Sequence, residues 1–498
     1  MAANWDSIAD VVVVGSGCAG AVTAIAAREE GADVLVVEKQ PKDSHVSSTG
    51  MSGGGLLLPG DDSAVKYLGG LSRVSGGLSW VSEDIIRVFV KYGMGVNAWI
   101  EAHGGRVRDE HAVGENTEVS GHDAFGHYNF LGNGYGLQRF LDGQVATKKI
   151  PVSYGTQALE LITDTTGRVV GVEVETDNGD GKKRTRIGAS RGVVLACGGF
   201  EYNETMKLNY LRVHPTYFTG TPSATGDGIK MALAVGADLW HMNCVSGRLV
   251  AKFPEFPIAF DPSFDSLRVR GRPNPAKIDP AKRPGYVIVD RDGKRFTNED
   301  FKPHCLYYEL TLFDTHRMVY PRVPSYWVFD RRRIEIESLF SLRTGATGPF
   351  RLYEWDRDSS KELEKGWVVT GKTIRELARK IGLSPERLDR TIKTYNRYCA
   401  KGRDSEFGRG SRSLVPLDKP PFFAMELWPG GPNTQGGPRK NARAQVLNVN
   451  GEPIPGLYSA GEMGSIFGML YPGGGSNLAE CFAMGRVAGE NVAHEGRK

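Results

Sequence analysis

The chain has 498 residues, 40% hydrophobic and 24% charged, with 62 Lys and Arg against 58 Asp and Glu for a net charge of +4. That length exceeds one ordinary core, so two domains are expected, and the near balance of charge speaks against nucleic acid as a partner. The six cysteines form no C-x-x-C pair, which excludes zinc-ribbon, c-type haem and dithiol motifs and fits a reducing compartment.

Asp6 and Asp10 ahead of the first apolar run argue against a signal peptide, and glycines interrupt the most apolar stretch, so no membrane span is expected. A cytoplasmic location is the expectation. Residues 11–14 read as a buried strand, 15–20 as a turn, 19–30 as a helix ended by Gly31, and 34–37 as a second strand with Glu38 at its end. Residues 159–163, 169–175 and 183–187 read as three antiparallel strands, with turns at Thr166-Gly167 and Asn178-Gly179. Residues 193–196 return as an apolar strand before Gly198-Gly199.

From about 245 to 415 prolines and aromatics become frequent. A strand is expected at 285–290, and helices at the capping box Thr373-x-x-Glu376 and at Ser384-Pro385. The last part returns to strand, Gly-rich loop and a helix over 476–493. The expected organisation is an α/β, Rossmann-like domain in two pieces, 1–245 and 416–498, with an α+β cap inserted at 246–415.

Gly15-x-Gly17-x-x-Gly20 lies between a strand and a helix. Gly15 permits the tight turn, Gly17 lets backbone approach a pyrophosphate, and Gly20 lets helix and strand pack closely. Glu38, eighteen residues beyond Gly20, suits the ribose hydroxyls of a dinucleotide. Ser48, Thr49, Ser52, Gly53 and Gly54 add hydroxyls and exposed N–H groups that can wrap a diphosphate and approach a flat ring. Gly198 and Gly199 after Ala196 allow a second close approach on the adenosine side. Glu462 after Gly461 suits a ribityl hydroxyl, and Ser476-Asn477-Leu478 opens a helix whose N–H groups can face a flavin's pyrimidine carbonyl. These features favour FAD over NAD.

With these segments, and with Thr225-Gly226-Asp227-Gly228, Gly293-Lys294-Arg295-Phe296-x-Asn298-Glu299, Asp404-x-x-Phe407-Gly408-Arg409 and Gly485-Arg486-x-Ala488-Gly489, the chain resembles the fumarate reductase and 3-ketosteroid dehydrogenase flavoproteins over nearly its whole length. The resemblance implies noncovalent FAD. Its cofactor positions here include Gly15, Gly17, Ala19, Gly20, Glu38, Lys39, Asp227, Gly461 and Glu462. Some relatives attach FAD through a histidine near this region; the equivalent position here is nearer Ser47 than His45.

Fumarate reductases grip two carboxylates with cations. Their histidine falls here on Asn433, one arginine on Pro472, and the proton-delivering arginine near Pro303. The loop Tyr471-Pro472-Gly473-Gly474-Gly475 instead resembles that of 3-ketosteroid 1-dehydrogenases. In those enzymes the tyrosine hydroxyl and the last glycine's N–H bind a substrate ketone, which implies catalytic roles for Tyr471 and Gly475. The family's base falls near Lys302 or Pro303, neither of which is a tyrosine, leaving Tyr308, Tyr307 and His304 as candidates. Tyr128 and Tyr135 are further candidates for lining a pocket.

The expected activity is insertion or removal of a C=C bond beside a ketone in an apolar cyclic or steroid-like substrate, with an unnamed electron acceptor or donor. The alternatives are reduction of an unsaturated acid, gripped by Lys302, Arg439 or Lys440, and a flavoprotein subunit that only carries electrons.

Overall fold

The computed structural model describes residues 4–74, 76–177, 181–264, 283–300, 303–336, 338–356 and 358–496. The first strand, β1 (Ser7–Val14), ends in four valines, and Val11, Val12 and Val13 are fully buried. β-Branched side chains buried on both faces suit a central parallel strand. Gly15 follows at φ +103°, where a Cβ would lie 2.6 Å from the Ala196 carbonyl oxygen. The chain then enters α1 (Cys18–Glu29). A Cβ at Gly20 would stand 1.9 Å from the Gly15 oxygen, so only glycine lets the helix start this close to the strand. β2 (Val34–Val37) runs parallel to β1, with Val34 opposite Val11.

On the other side of β1 lies β3 (Lys182–Leu195), followed by β4 (Pro453–Ser459). The order β4-β3-β1-β2 forms the parallel heart of an eight-stranded sheet. The two strands expected at 183–187 and 193–196 are corrected to one strand of 14 residues. Its first half pairs antiparallel with Val169–Asp177 and its second half runs parallel between β1 and β4. Gly188 packs under the Trp5 ring and Gly192 against the Gly456 carbonyl, so the apolar pattern breaks while the backbone stays extended. The Asn178-Gly179 turn lies outside the described residues.

The last helix, α2 (Ser476–Ala493), packs on α1. A Cβ at Gly489 would sit 2.5 Å from the Thr23 oxygen, and the Thr23 hydroxyl donates to the Gly485 carbonyl at 3.1 Å. The glycines of the Gly485-Arg486-x-Ala488-Gly489 segment thus bring the two helices into contact.

The chain divides into two compact units. One comprises Met1–Leu211, Gly220–Ser246 and Asn433–Lys498; the other comprises Arg212–Thr219 and Gly247–Pro432. The expected second boundary at 415/416 lies ahead of the strand Phe422–Thr434. That strand pairs antiparallel with Ser325–Asp330 and so stays with the second unit as far as Pro432.

In the second unit, helices Ile374–Lys380 and Pro385–Lys401 pack Leu377, Leu388, Ile392 and Tyr395 against Val287, Val289 and Val328 of its sheet. Both helices start at the expected caps. Thr373 Oγ1 accepts the Glu376 N–H at 3.1 Å and Ser384 Oγ the Arg387 N–H at 3.4 Å. Arg295 donates to both oxygens of Glu299 at 2.7 Å and to Asp404 at 2.8 Å. Arg409 donates to the Tyr286 carbonyl at 2.8 Å and lies 3.4 Å from Glu299. All four side chains are buried, and pairing is what permits that burial.

Among the described residues no helix is long and apolar enough to cross a membrane.

Candidate cofactor and active site

The first unit leaves donors open at the carboxyl ends of its parallel strands. The Ser16 N–H is taken by Glu38 at 3.1 Å and the Cys18 N–H by Thr49 Oγ1 at 3.0 Å. Among the described residues no protein acceptor takes the N–H groups of Gly17, Ala19 or Gly20. A Cβ at Gly17 would meet nothing nearer than Thr49 Oγ1 at 3.7 Å, so packing does not require glycine there. The space is suited to a ligand, and free N–H groups at a helix N-terminus suit a pyrophosphate. Glu38 is held by the Ser16 hydroxyl at 3.0 Å and the Gln40 N–H at 2.9 Å, its carboxylate fixed at the end of β2. His45 Nε2 lies 3.1 Å from Ser16 Oγ and 3.8 Å from Glu38, at this same end of the cradle.

The other expected cofactor residues gather in the same unit. Residues Ser48–Met51 form one helical turn capped by Ser47, whose Oγ accepts the Gly50 N–H at 3.0 Å. Ser48 Oγ accepts the Thr221 N–H at 3.3 Å, and Ser52 Oγ donates to the Thr49 carbonyl at 2.7 Å. Gly53 follows in this turn. Gly54 is explained by packing, since its Cβ would stand 2.4 Å from the Asn133 carbonyl carbon. Lys39 and Asp227 pair with each other at 2.8 Å, and Lys39 also donates to Thr225. Beyond Ala196, Gly198 adopts φ +80° and the Gly199 N–H donates to Glu462 at 3.0 Å. Gly461 faces α1, where a Cβ would lie 2.7 Å from Ala19 Cβ.

Sequence reasoning missed Gln138, which accepts from Ser47 at 2.7 Å and donates to the Ser16 carbonyl at 3.1 Å. It also missed Glu201, which is bound to Thr434.

The loop before α2 is held from several directions. Tyr471 is 4% exposed, and its hydroxyl accepts the Asn477 N–H at 2.9 Å. The Pro472 carbonyl accepts from the Tyr67 hydroxyl at 2.7 Å and the Glu115 N–H at 2.9 Å. Glu115 Oε1 takes the Gly474 N–H at 3.0 Å, and Asn116 donates to the Tyr471 carbonyl at 3.2 Å. The Ser476 hydroxyl donates to the Gly473 carbonyl at 2.8 Å. Asn477 and Gln435 exchange amide hydrogen bonds of 3.0 and 3.1 Å, and Leu478 packs on the core. Gly475 adopts φ +95°, and among the described residues no acceptor takes its N–H. None of Tyr67, Glu115, Asn116 and Gln435 was expected.

In the second unit, Tyr307 is fully buried with its ring edge-on to Tyr308 at 5.1 Å. Tyr308 is half-buried beneath the Arg212 guanidinium, 5.7 Å from its ring. His304 is buried, and its Nε2 accepts from Arg248 at 3.0 and 3.3 Å. Arg248 also grips both oxygens of Asp261. An arginine only donates, so His304 Nε2 is the acceptor and is occupied as a base. Lys302 lies outside the described residues. In the first unit Tyr128 sits on the strand Phe125–Phe130, and Tyr135 is 41% exposed on a helix.

Among the described residues of the first unit, the positions that would grip a dicarboxylate carry no unpaired cation. Asn433 is buried and donates to the Thr434 carbonyl at 2.8 Å. Arg439 pairs with Asp238 at 3.3 Å, and the wholly buried Lys440 lies 3.6 Å from Glu480.

A family model described as an FAD binding domain matches residues 10–478. The chain is 27% identical to a 3-oxosteroid 1-dehydrogenase of Mycolicibacterium smegmatis, with 97% of each chain covered. It is 28% identical to a probable fumarate reductase of Shewanella frigidimarina, covering 99% of this chain and 76% of that protein. The crystal structure of 3-ketosteroid Δ1-dehydrogenase from Sterolibacterium denitrificans, in complex with 1,4-androstadiene-3,17-dione, matches with a TM-score of 0.83. Identity there is 23%, over 98% of this chain and 100% of that one, so the likeness is one of fold. The cradle at Gly17 and Glu38 fits the cofactor, and the chain belongs to the FAD-binding family that includes 3-ketosteroid dehydrogenases and fumarate reductases, as an FAD-dependent oxidoreductase.

Proposed function

We propose that this enzyme introduces or removes the C=C bond beside a ketone in an apolar cyclic substrate of steroid-like shape. Identity alone does not choose between ketone and acid, because the two relatives are equally distant. The observation that carries the reading is the hydrogen bonding of the Tyr471 loop. The Asn477 N–H donates to the Tyr471 oxygen and fixes the phenol, whose O–H is by nature also a donor. Among the described residues no acceptor takes the Gly475 N–H, four residues on. Two such donors suit the oxygen of a ketone as it gains enolate character.

Bound FAD would supply the two-electron acceptor for hydride leaving the neighbouring carbon, or the donor in the reverse direction. Tyr471 and Gly475 polarise the ketone and acidify the adjacent C–H. Tyr308 is the best base among the three candidates, since Tyr307 is wholly buried and His304 Nε2 is occupied. FAD is held without a covalent bond, His45 being committed to Ser16 at the Glu38 end of the cradle. Carboxylate gripping finds little support, with Arg439 and Lys440 already paired.

Anaerobic mixing of the yellow holoenzyme with a panel of cyclic ketones tests the reading. Bleaching by ketones and none by succinate is the expected result; the reverse pattern would overturn it.

A further inference from the structure

Glu201 and Glu462 flank the Gly198-Gly199 peptide where β3 and β4 end. Glu462 Oε1 accepts the Gly199 N–H at 3.0 Å. Glu201 is 1% exposed, and its Oε1 accepts both the N–H and the O–H of Thr434, at 2.5 and 2.7 Å. Its Oε2 is buried with no hydrogen-bond partner. The two carboxyls crowd the same peptide. A Cβ on Gly199 would stand 2.6 Å from Glu201 Oε1, and one on Gly198 would stand 3.1 Å from Glu462 Oε1.

The surrounding charges do not neutralise this pair. Lys207, on the helix Glu204–Tyr210, acts on Glu201 from a distance, but its Nζ is paired with Glu204 at 2.7 Å. Tyr202 stands beside Glu201. Glu462 faces Cys481 and Glu480 of α2, and Glu480 is already bound by Lys440, Ser465 and the Ile466 N–H. Among the described residues neither Glu201 nor Glu462 has a cation within ion-pair distance. Two carboxylates crowded around one peptide without a cation do not both ionise readily at neutral pH. Burial pushes both groups up, and Glu201 pushes Glu462 further.

We propose that Glu201 and Glu462 share a single proton, held on Glu462, so that this edge of the cofactor groove carries one negative charge rather than two. Glu201 keeps the charge, its Oε1 already accepting two hydrogen bonds from Thr434, and acts through Glu462 as a positioning residue. The proton has a consequence for FAD, itself an anion. When alkaline pH removes it, a second negative charge appears beside the groove and the cofactor is held less tightly. Stability follows the same sign. A carboxyl raised in the folded state stabilises fully below its ordinary range, and that contribution is lost as pH rises through the raised value.

The experiment uses the holoenzyme and the E201Q variant, whose amide keeps an acceptor for Thr434 and cannot ionise. The wild type should show a protonated-carboxyl infrared band at neutral pH that shifts with ¹³C-carboxyl glutamate and disappears in E201Q. Flavin release on dilution should accelerate with rising pH in the wild type and stay flat in E201Q. The two should agree within about twofold at neutral pH, because once the charge of Glu201 is gone Glu462 can ionise and one negative charge remains at this edge. Absence of a protonated-carboxyl band in the labelled wild type would overturn the proposal, even if E201Q failed to fold. An unchanged pH dependence of release in E201Q would overturn it equally.

Discussion

The two units treat polar groups in opposite ways. Among the described residues, the first leaves donors without a protein acceptor at Gly17, Ala19, Gly20 and Gly475, all at loop-to-helix junctions beside the parallel sheet. In the second, the notable charges are matched internally: Arg295 with Glu299 and Asp404, Arg409 with Glu299, Arg248 with Asp261. Open backbone donors call for a ligand to complete them, whereas closed ion networks complete themselves. The Gly293–Glu299 and Asp404–Arg409 segments are therefore scaffold, and the glycine turns are where chemistry is brought in.

The sharpest way to break that contrast is at Gly17 and Gly20. A Gly17→Val protein should fold yet be colourless, because its side chain meets cofactor space rather than protein. Gly20→Val should damage the fold itself, since even a Cβ there collides with the Gly15 carbonyl. Thermal melts and flavin content of the two variants separate these outcomes. A well-folded, yellow Gly17→Val protein would sink the cradle.

In the second unit, Tyr308→Phe is expected to leave FAD bound and to lower turnover by about 10²- to 10⁴-fold, the scale of a lost general base. Tyr307→Phe should retain near-normal turnover, as its buried position implies. If Tyr307→Phe were the inactive variant, the assignment would pass to it. Arg295→Met tests the scaffold instead. Leaving Asp404 without its arginine in the interior, and Glu299 with Arg409 alone, should cost about 3–5 kcal/mol in urea denaturation. A cost below about 1 kcal/mol would show the network to be dispensable.

The smallest effect is expected at the Gln435–Asn477 pair. Asn477→Ala removes the amide clasp but keeps the backbone N–H that serves Tyr471. Turnover should fall by no more than about tenfold, the worth of one hydrogen bond to a positioning group. A loss as large as that of the Tyr471 variant would make the side chain itself catalytic.

The difference between the units also governs what could be read from sequence. Glu38 and Ser16 are 22 residues apart on one strand-helix-strand unit, so a local spacing rule reaches both. Gly474 and Glu115 are 359 residues apart, and no local pattern joins them. The same holds for Gln138 under Ser16 and for Glu201 under Thr434. β3 was split because Gly188 and Gly192 answer to neighbours, the Trp5 ring and the Gly456 carbonyl, that periodicity does not contain. The second-unit boundary was placed early for a related reason. The strand Phe422–Thr434 belongs with Ser325–Asp330 through a pairing across about a hundred residues, which no local pattern contains. The Tyr471 loop could be singled out because it is a contiguous motif; the distant residues that hold it could not.

The central claim is that Tyr471 and Gly475 stabilise a developing enolate oxygen. Single-turnover flavin reduction by a cyclic ketone, in the wild type and in Tyr471→Phe at equal FAD content, tests it most directly. The variant should react about 10²- to 10³-fold more slowly with little change in the ketone concentration needed for half-saturation, since the bond strengthens as charge develops. Equal rates in the two proteins would contradict it.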